Sequence, residues 1–391
     1  MRTTVAILAL VALIAGCSGA AATPAPVTPR TSTAPAAAAA AEEPALVRVG
    51  KSGGDRWVVV ADAAGTTLRA ESDGLIAAPD RLFVTSARGA ETVLELRDPL
   101  TGMVAASTTL PATWALPSLG LGAEPVGVSA DGGRLALVEK AAPGTSSFAI
   151  LDATLKKSNP TLVQLTGRFA FDALSSDGSV LYLVEYINSS DTDYVVRAVD
   201  VATGALREGV IVDKRNAAET SMSGIATARV EGKGWSYTLY DGPTTFIHAL
   251  DTANAGALCI DFPTDANAPS GTAPNGWTLT AVGGDRLLAA NPLTGQVVVA
   301  GLTDFDVSRT ARIDPIAPAD SGWVAQSAAS AKGDRVWVTT PAGVLAIDAT
   351  SLKLLGRIPV DGSVVSVVPL ADGAVLVGRS DGSVGRLSPS F

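Results

Sequence analysis

The chain has 391 residues, of which 47% are hydrophobic and only 17% are charged, and its net charge is −9. An acidic chain of this kind is not expected to bind nucleic acid, or to hold an anionic membrane through basic residues. Its length allows one large domain or two of ordinary size.

The first 17 residues have the pattern of an export signal. Arg2 supplies a positive charge, and an unbroken apolar run of 11 residues extends from Val5 to Ala15. A membrane-spanning helix takes ~20 apolar residues, so this run fits the apolar region of a signal peptide. The run closes on Ile14-Ala15-Gly16-Cys17, which resembles the lipobox of bacterial lipoproteins.

That resemblance implies removal of residues 1–16 and lipidation of Cys17, which becomes the new N-terminus. The alternative is an ordinary secretory signal in which Cys17 is incidental. A lipid on Cys17 would anchor the protein to the extracytoplasmic side of a membrane, at the cell surface or in the periplasm. Residues 17–44 are rich in Ala, Pro, Ser and Thr. They are predicted to form a disordered tether, because they lack the apolar residues needed for a core.

From residue 45 onward the sequence predicts an all-β fold. Short runs rich in Val, Ile, Leu and Thr alternate with Asp-Gly, Gly-Gly and Thr-Gly turns, and no amphipathic helix pattern extends over three turns. One unit, a turn followed by an apolar strand, recurs about every 49 residues. That period is typical of a four-stranded propeller blade. The apolar anchor positions of the seven copies are Leu82, Leu135, Leu181, Tyr237, Leu287, Val336 and Val375.

A second turn signal recurs along the sequence with a period similar to that of these anchors. An Asp can cap such a turn by accepting backbone N–H bonds, so we expect it between the third and fourth strands of each blade. In one repeat Asn291 follows its anchor by only four residues. It is predicted to serve an earlier hairpin, with Thr303-Asp304 at the usual place. The Asp residues of this second signal are Asp98, Asp152, Asp200, Asp251 and Asp348.

At these residues the chain resembles the bacterial surface propeller repeats of the YVTN type. Residues 124–138 look like that family's inner strand, Asp-Gly turn and second strand, and residues 348–360 look like its Asp-x-Thr turn and outer strand. The name-giving Tyr-Val-Thr-Asn motif is absent. The resemblance implies a fold and little about a ligand.

We therefore predict a single β-propeller over residues 45–391, with seven four-stranded blades. N-terminal strands around residues 57–61 are expected to complete the last blade, because a closed ring removes an exposed sheet edge. Six or eight blades stay open as alternatives.

Residues suited to catalysis are sparse. A hydrolytic triad needs a base beside its nucleophile. The chain has one histidine, His248, and its second cysteine is Cys259. Each lies in an apolar strand pattern and is predicted to be structural. One His and one Cys do not make a zinc site. The acidic loop Asn188–Asp193 lacks the Gly and terminal Glu of a calcium hand, and is predicted to be a solvated hairpin tip. No catalytic residue, metal site or cofactor is predicted.

The few aromatic residues offer a candidate binding face. Three tryptophans precede predicted inner strands, where propeller loops gather at the mouth of the channel, and polar residues accompany them. The alternative is that each tryptophan fills a gap between blades. The candidate binding residues are Trp114, Trp277, Trp323, Glu219, Asn275 and Asp320.

The predicted function is that of a lipid-anchored extracytoplasmic propeller that binds or scaffolds a protein, a glycan or a small solute. One alternative is a metal-dependent hydrolase of the lactonase kind, for which carboxylates should converge in the channel. Another is an envelope-assembly lipoprotein. Propellers of that class share the Asp-x-x-Thr-Gly turns, but the regular Trp that follows those turns is missing here.

Overall fold

The computed structural model describes residues 44–391 except for several short stretches, and the predicted signal peptide, Cys17 and most of the tether lie outside the described residues. Within this part of the chain, no helix combines the length and apolar character needed to cross a membrane. The stretches that are not described are 51–55, 72–73, 79–80, 121–123, 140–143, 158, 212, 214, 216–220, 233, 264–275 and 317–322.

The described strands form consecutive antiparallel blades, each built from strands adjacent in the sequence. Blade 1 contains β1 (Ala45–Gly50), β2 (Arg56–Ala61) and β3 (Thr67–Glu71); blade 2 contains β4 (Leu75–Ala78), β5 (Arg81–Arg88), β6 (Glu91–Arg97) and β7 (Val104–Pro111); blade 3 contains β8 (Trp114–Ala115), β9 (Ser118–Leu119), β10 (Glu124–Pro125), β11 (Arg134–Glu139), β12 (Thr145–Asp152) and β13 (Thr161–Thr166); blade 4 contains β14 (Phe169–Leu174), β15 (Val180–Tyr186), β16 (Asp193–Asp200), β17 (Ala205–Leu206) and β18 (Met222–Ser223).

The second half of the chain repeats the same plan. Blade 5 contains β19 (Ile225–Gly232), β20 (Trp235–Asp241), β21 (Phe246–Asp251) and β22 (Gly256–Asp261); blade 6 contains β23 (Thr278–Val282), β24 (Arg286–Asn291), β25 (Gln296–Gly301) and β26 (Val307–Arg312); blade 7 contains β27 (Ser327–Ala329), β28 (Arg335–Thr340), β29 (Gly343–Asp348) and β30 (Leu354–Pro359); blade 8 contains β31 (Val364–Pro369), β32 (Val375–Arg379) and β33 (Val384–Leu387).

The prediction of an all-β propeller is confirmed, but the predicted count of seven blades is wrong, because the described residues form eight. The seven anchor positions all lie in second strands, from Leu82 in β5 to Val375 in β32. The blade that the prediction lacked is blade 1, formed by residues 45–71. Its middle strand β2 pairs with β1 on one edge and with β3 on the other, so neither edge of β2 is left to complete the last blade.

The ring closes where blade 8 packs against blade 1, and among the described residues no strand is exchanged between them. Leu376 of β32 lies in one hydrophobic cluster with Val47 and Val49 of β1. The Ser366 hydroxyl donates a hydrogen bond of 2.6 Å to the Arg48 carbonyl oxygen. The ring is therefore closed by packing between the sheets of blades 8 and 1, and not by the strand exchange that was predicted.

The turn prediction is confirmed. The Asp98 carboxylate lies between β6 and β7, the third and fourth strands of blade 2, and accepts the backbone N–H groups of Leu100 at 2.9 Å and Thr101 at 2.8 Å. Asn291 caps the turn between the second and third strands of blade 6, as its early position predicted. These turns are local, so their residue types suffice to specify them.

Candidate functional site

A cavity of about 540 Å³ lies where the inner strands of the propeller meet. Strands of blades 2, 3, 5, 6 and 7 contribute to its wall, so it lies in the central channel. Its polar wall includes Thr278 and Ser327, whose hydroxyl groups are 2.7 Å apart across blades 6 and 7. The charged side chains of the wall are Arg81, Glu124, Asp131, Arg229 and Glu231.

A short hairpin interrupts the inner strand of blade 3 and narrows this channel. Strand β8 pairs with the end of β11, the β9–β10 hairpin follows, and Val128 then resumes pairing with β11 at Leu135. The hairpin reaches β19 of blade 5, where an added Cβ on Gly120 would lie 1.6 Å from the Ala226 carbonyl oxygen. A glycine is therefore required at this crossing.

The hairpin is also held from blade 1. The Glu124 carboxylate lies 3.6 Å from the Arg48 Nε atom, and a second Arg48 nitrogen donates to the Gly74 carbonyl oxygen at 2.6 Å. The Arg48 side chain is only 12% exposed. One arginine therefore connects β1, the start of β4 and the hairpin.

A buried ion pair joins blades 4 and 5 beside the channel. Asp172 lies at a bulge in β14, and its Oδ1 atom is 2.6 Å from Arg229 Nη2 of β19. The Arg229 Nε atom donates to the Thr238 hydroxyl at 2.9 Å. Because both charged side chains are almost fully buried, each depends on the other for compensation.

Glu231 is the second carboxylate of this group and faces the channel. It accepts a hydrogen bond of 2.9 Å from the Ser236 hydroxyl, and Arg229 Nε lies 3.8 Å away. About a third of its side chain (32%) is exposed, and the residue lines the cavity. Burial raises the pKa of Glu231 from 4.5 to about 7, against the opposing effects of Arg229 and Ser236. Its protonation therefore changes near neutral pH.

A metal site in the channel wall requires a set of donor side chains placed together. Among the described residues, no three His, Cys, Asp or Glu side chains are placed to hold a metal ion. Three carboxylates, those of Glu124, Asp131 and Glu231, do line the channel wall, and the hydrolase alternative stays a prediction.

His248 and Cys259 are buried, as their apolar strand patterns predicted. They pair across β21 and β22, and their residues are 1% and 7% exposed. The His248 ring meets Tyr240 edge-on at 6.4 Å, and burial lowers the pKa of the imidazole. The predicted hairpin tip at residues 188–193 lies between β15 and β16, where the Asn188 amide donates to Asp193 at 2.7 Å.

All three predicted tryptophans have buried side chains. Trp277 is fully buried against Phe262, with ring centroids 5.2 Å apart. Trp114 and Trp323 are 7% and 8% exposed, and each indole N–H donates to a backbone carbonyl. This burial favours the packing alternative, and the binding role stays a prediction. The polar residues predicted beside them, Glu219, Asn275 and Asp320, lie outside the described residues.

A second, smaller cavity of about 290 Å³ lies between blades 5 and 6 and was not anticipated. Trp235 and Tyr237 of β20 line it, and Glu231 belongs to both cavities. The aromatic wall of this cavity could have been predicted from Trp235-Ser236-Tyr237. Alternate residues of a strand point to the same face, so the two aromatic side chains were expected to lie side by side.

No family model matches the chain, and no curated protein is similar to it in sequence. Among solved structures, the Dos1 propeller has a TM-score of 0.52 and 11% identity, over 88% of this chain and 92% of that one. BamB from Moraxella catarrhalis has a TM-score of 0.49 and 12% identity, over 87% and 95% of the two chains. Apo AztD from Citrobacter koseri has a TM-score of 0.46 and 14% identity, over 89% and 98%. At these identities the likeness concerns the fold, and the chain is a β-propeller.

Proposed function

We propose that this protein is a lipid-anchored extracytoplasmic β-propeller that acts as a binding or scaffolding module for a protein, a glycan or a small solute. The observation that carries the proposal is the polar central cavity of about 540 Å³. Ligand sites are typically concave and hold a few fixed polar groups, as this cavity does. The Ile14–Cys17 ending supports the anchor, and the acidic net charge argues against nucleic acid as the partner.

The anchor is tested by replacing Cys17 with Ser. The variant should leave the membrane fraction and appear in soluble form, with an unchanged melting temperature, because the tether separates anchor from core. A Cys17→Ser protein that stays in the membrane fraction after a high-salt wash would contradict the lipoprotein assignment.

The binding role is tested with the soluble full-length Cys17→Ser protein, used to capture partners from intact cells. Gln326→Arg adds bulk and charge to the channel wall and should abolish capture. Gln164→Arg is the matched control, because Gln164 is exposed on the outer strand of blade 3. Equal capture by the two variants would place the binding surface away from the channel.

A further inference from the structure

A third cavity, of about 320 Å³, lies between the outer parts of blades 4 and 5. Met222 of β18 lines it from blade 4, and Phe246 and Cys259 line it from β21 and β22 of blade 5. Sulfur-containing residues are scarce in this chain, with 2 Cys and 3 Met, yet one of each lines this cavity. The cavity therefore brings a thiol and a thioether to one place.

His248 lies beside Cys259 on the neighbouring strand. The two residues are directly opposite in the register of β21 and β22, so their side chains project from the same face of the sheet, with Cβ atoms ~4.5–5.5 Å apart. His248 is 1% exposed, and neither nitrogen of its ring has a hydrogen-bond partner among the described residues. Buried polar atoms are nearly always paired, so two such nitrogens beside a thiol point to a bound ligand.

The surroundings of His248 favour the form of the ring that binds a metal. Burial lowers the pKa of the imidazole, against the opposing effect of Asp172. A neutral imidazole carries a lone pair on one nitrogen, which can coordinate a metal ion. The Tyr240 ring meets the imidazole edge-on with centroids 6.4 Å apart, and stacks on Phe246 with centroids 5.4 Å apart. These aromatic contacts hold the imidazole beside the cavity wall.

Met222 is positioned by a short strand pair. Its strand β18 pairs with β16 of blade 4, where Met222 lies opposite Tyr194. The Gly224 N–H then donates to the Thr192 carbonyl oxygen at 2.9 Å. Met222 packs against the hydrophobic cluster that contains Cys259. Backbone pairing therefore holds the thioether on the side of the cavity that faces the thiol.

We infer that Met222, His248 and Cys259 form a binding site for a soft monovalent metal ion, of which Cu(I) is the biological example. Thiolate, thioether and imidazole are protein ligands that suit copper in this state. Binding breaks the S–H bond of Cys259, forms an S–Cu bond and releases one proton to the solvent. The copper stays Cu(I), so the step needs no oxidant or reductant.

The same side chains are poorly suited to zinc. Structural zinc sites hold four ligands drawn mostly from Cys and His, and a thioether is not among them. In the part of the chain that the structure describes, no three His, Cys, Asp or Glu side chains are placed to hold a metal ion. Cu(I) accepts a lower coordination number, and soft sulfur ligands select it. This inference goes beyond the proposed function and does not depend on a partner at the central channel.

The test uses the full-length Cys17→Ser protein, whose only thiol is that of Cys259. The reduced protein is titrated with Cu(I) in the absence of oxygen, in competition with the chelator bathocuproine disulfonate. We expect one Cu(I) per chain to be held against the chelator, with the ultraviolet absorption of a Cu(I)–thiolate bond. Failure to retain Cu(I), or displacement of the bound copper by an equal concentration of Zn(II), would overturn the proposal.

Matched methionine variants assign the copper to this cavity. Met222→Leu keeps the bulk of the side chain and removes the thioether. It should weaken Cu(I) binding ~10-fold or more, since loss of even an outer partner of a metal ligand costs that much. Met103→Leu is the matched control, because Met103 is 69% exposed on blade 2, and it should bind Cu(I) as the parent does. Equal affinities of the two variants, both shown by melting curves to be folded, would contradict the assignment.

Two further measurements address the thiol and the imidazole. Cys259→Ser should retain no Cu(I). X-ray absorption of the copper-loaded parent identifies the ligands without any substitution in the core, and should show two sulfur atoms and one imidazole nitrogen on the copper. Retention of Cu(I) by Cys259→Ser, or a copper site without imidazole, would overturn the proposal.

Discussion

The carboxylate of Asp172 and the guanidinium of Arg229 lie 2.6 Å apart on the inner strands of neighbouring blades, although the residues are 57 positions apart in the sequence. Their side chains are 1% and 5% exposed. Removal of one member of such a pair leaves a buried charge without compensation. The pair therefore fixes how blades 4 and 5 approach each other beside the channel.

We expect Asp172→Asn to lower the free energy of unfolding by ~3–5 kcal/mol, because Arg229 stays buried without its counter-charge. Chemical denaturation measures the change. The matched control is Glu185→Gln, whose pair with Arg197 has a similar length of 2.8 Å but is less buried, with side chains 29% and 21% exposed. Loss of that partly exposed pair should cost ~1 kcal/mol or less. Similar losses in the two variants would contradict the role given to the buried pair.

The pH dependence of stability should report on Glu231. Its pKa is raised from 4.5 to about 7 by burial, so the folded protein binds more protons than the unfolded chain between these values. Stability from this group is therefore lost as the pH rises from about 4.5 to about 7. Burial lowers the pKa of His248, which acts in the opposite direction, so a comparison of variants is needed.

Glu231→Gln should gain stability relative to the parent as the pH rises across this range, because glutamine does not ionise. His248 contributes equally to both proteins and cancels in the difference. Melting temperatures measured at several pH values give the difference directly. Glu91→Gln removes a carboxylate from an exposed pair with Arg88 on blade 2 and should show no such trend. If the difference in melting temperature between Glu231→Gln and the parent does not change with pH, the Glu231 carboxyl titrates normally.

Truncation of the predicted tryptophans separates packing from binding. Trp277→Ala removes a fully buried ring and should cost ~3–5 kcal/mol of folding stability. Trp235→Ala is the control, because Trp235 is only half-buried and should cost clearly less. Thermal denaturation of both variants decides the matter. A Trp277→Ala protein with the melting temperature of the parent would contradict the packing role and favour the predicted binding role of Trp277.

The sequence predicted the propeller class and the capped turns because both depend on local signals. Asp98 and Asn291 contact backbone groups only two or three residues away, so their positions in the sequence were enough. Blade 1 was missed although Gly53-Gly54-Asp55-Arg56 matches Gly283-Gly284-Asp285-Arg286. Blade 1 is short and three-stranded, so its turn falls outside the period of the other seven.

The site was harder to predict than the fold because it depends on contacts between blades. The pairing of Asp172 with Arg229 requires the bulge in β14, which shifts the register between Phe171 and Ala173. The contact of Trp235 with Phe305 requires a left-handed residue in the turn of another blade. Neither feature has a sequence pattern of its own.

Ring closure makes the last prediction. Gly378 of β32 faces β1, and a Cβ added there would lie 1.7 Å from the Arg48 carbonyl oxygen. Gly378→Ala should therefore push blade 8 away from blade 1 and lower the free energy of unfolding by ~1–3 kcal/mol, as overpacking does. Gly232→Ala is the matched control, because a Cβ at Gly232 meets no atom within 4 Å. Denaturation curves compare the two, and a Gly378→Ala protein as stable as the control would show that the ring is not closed by this contact.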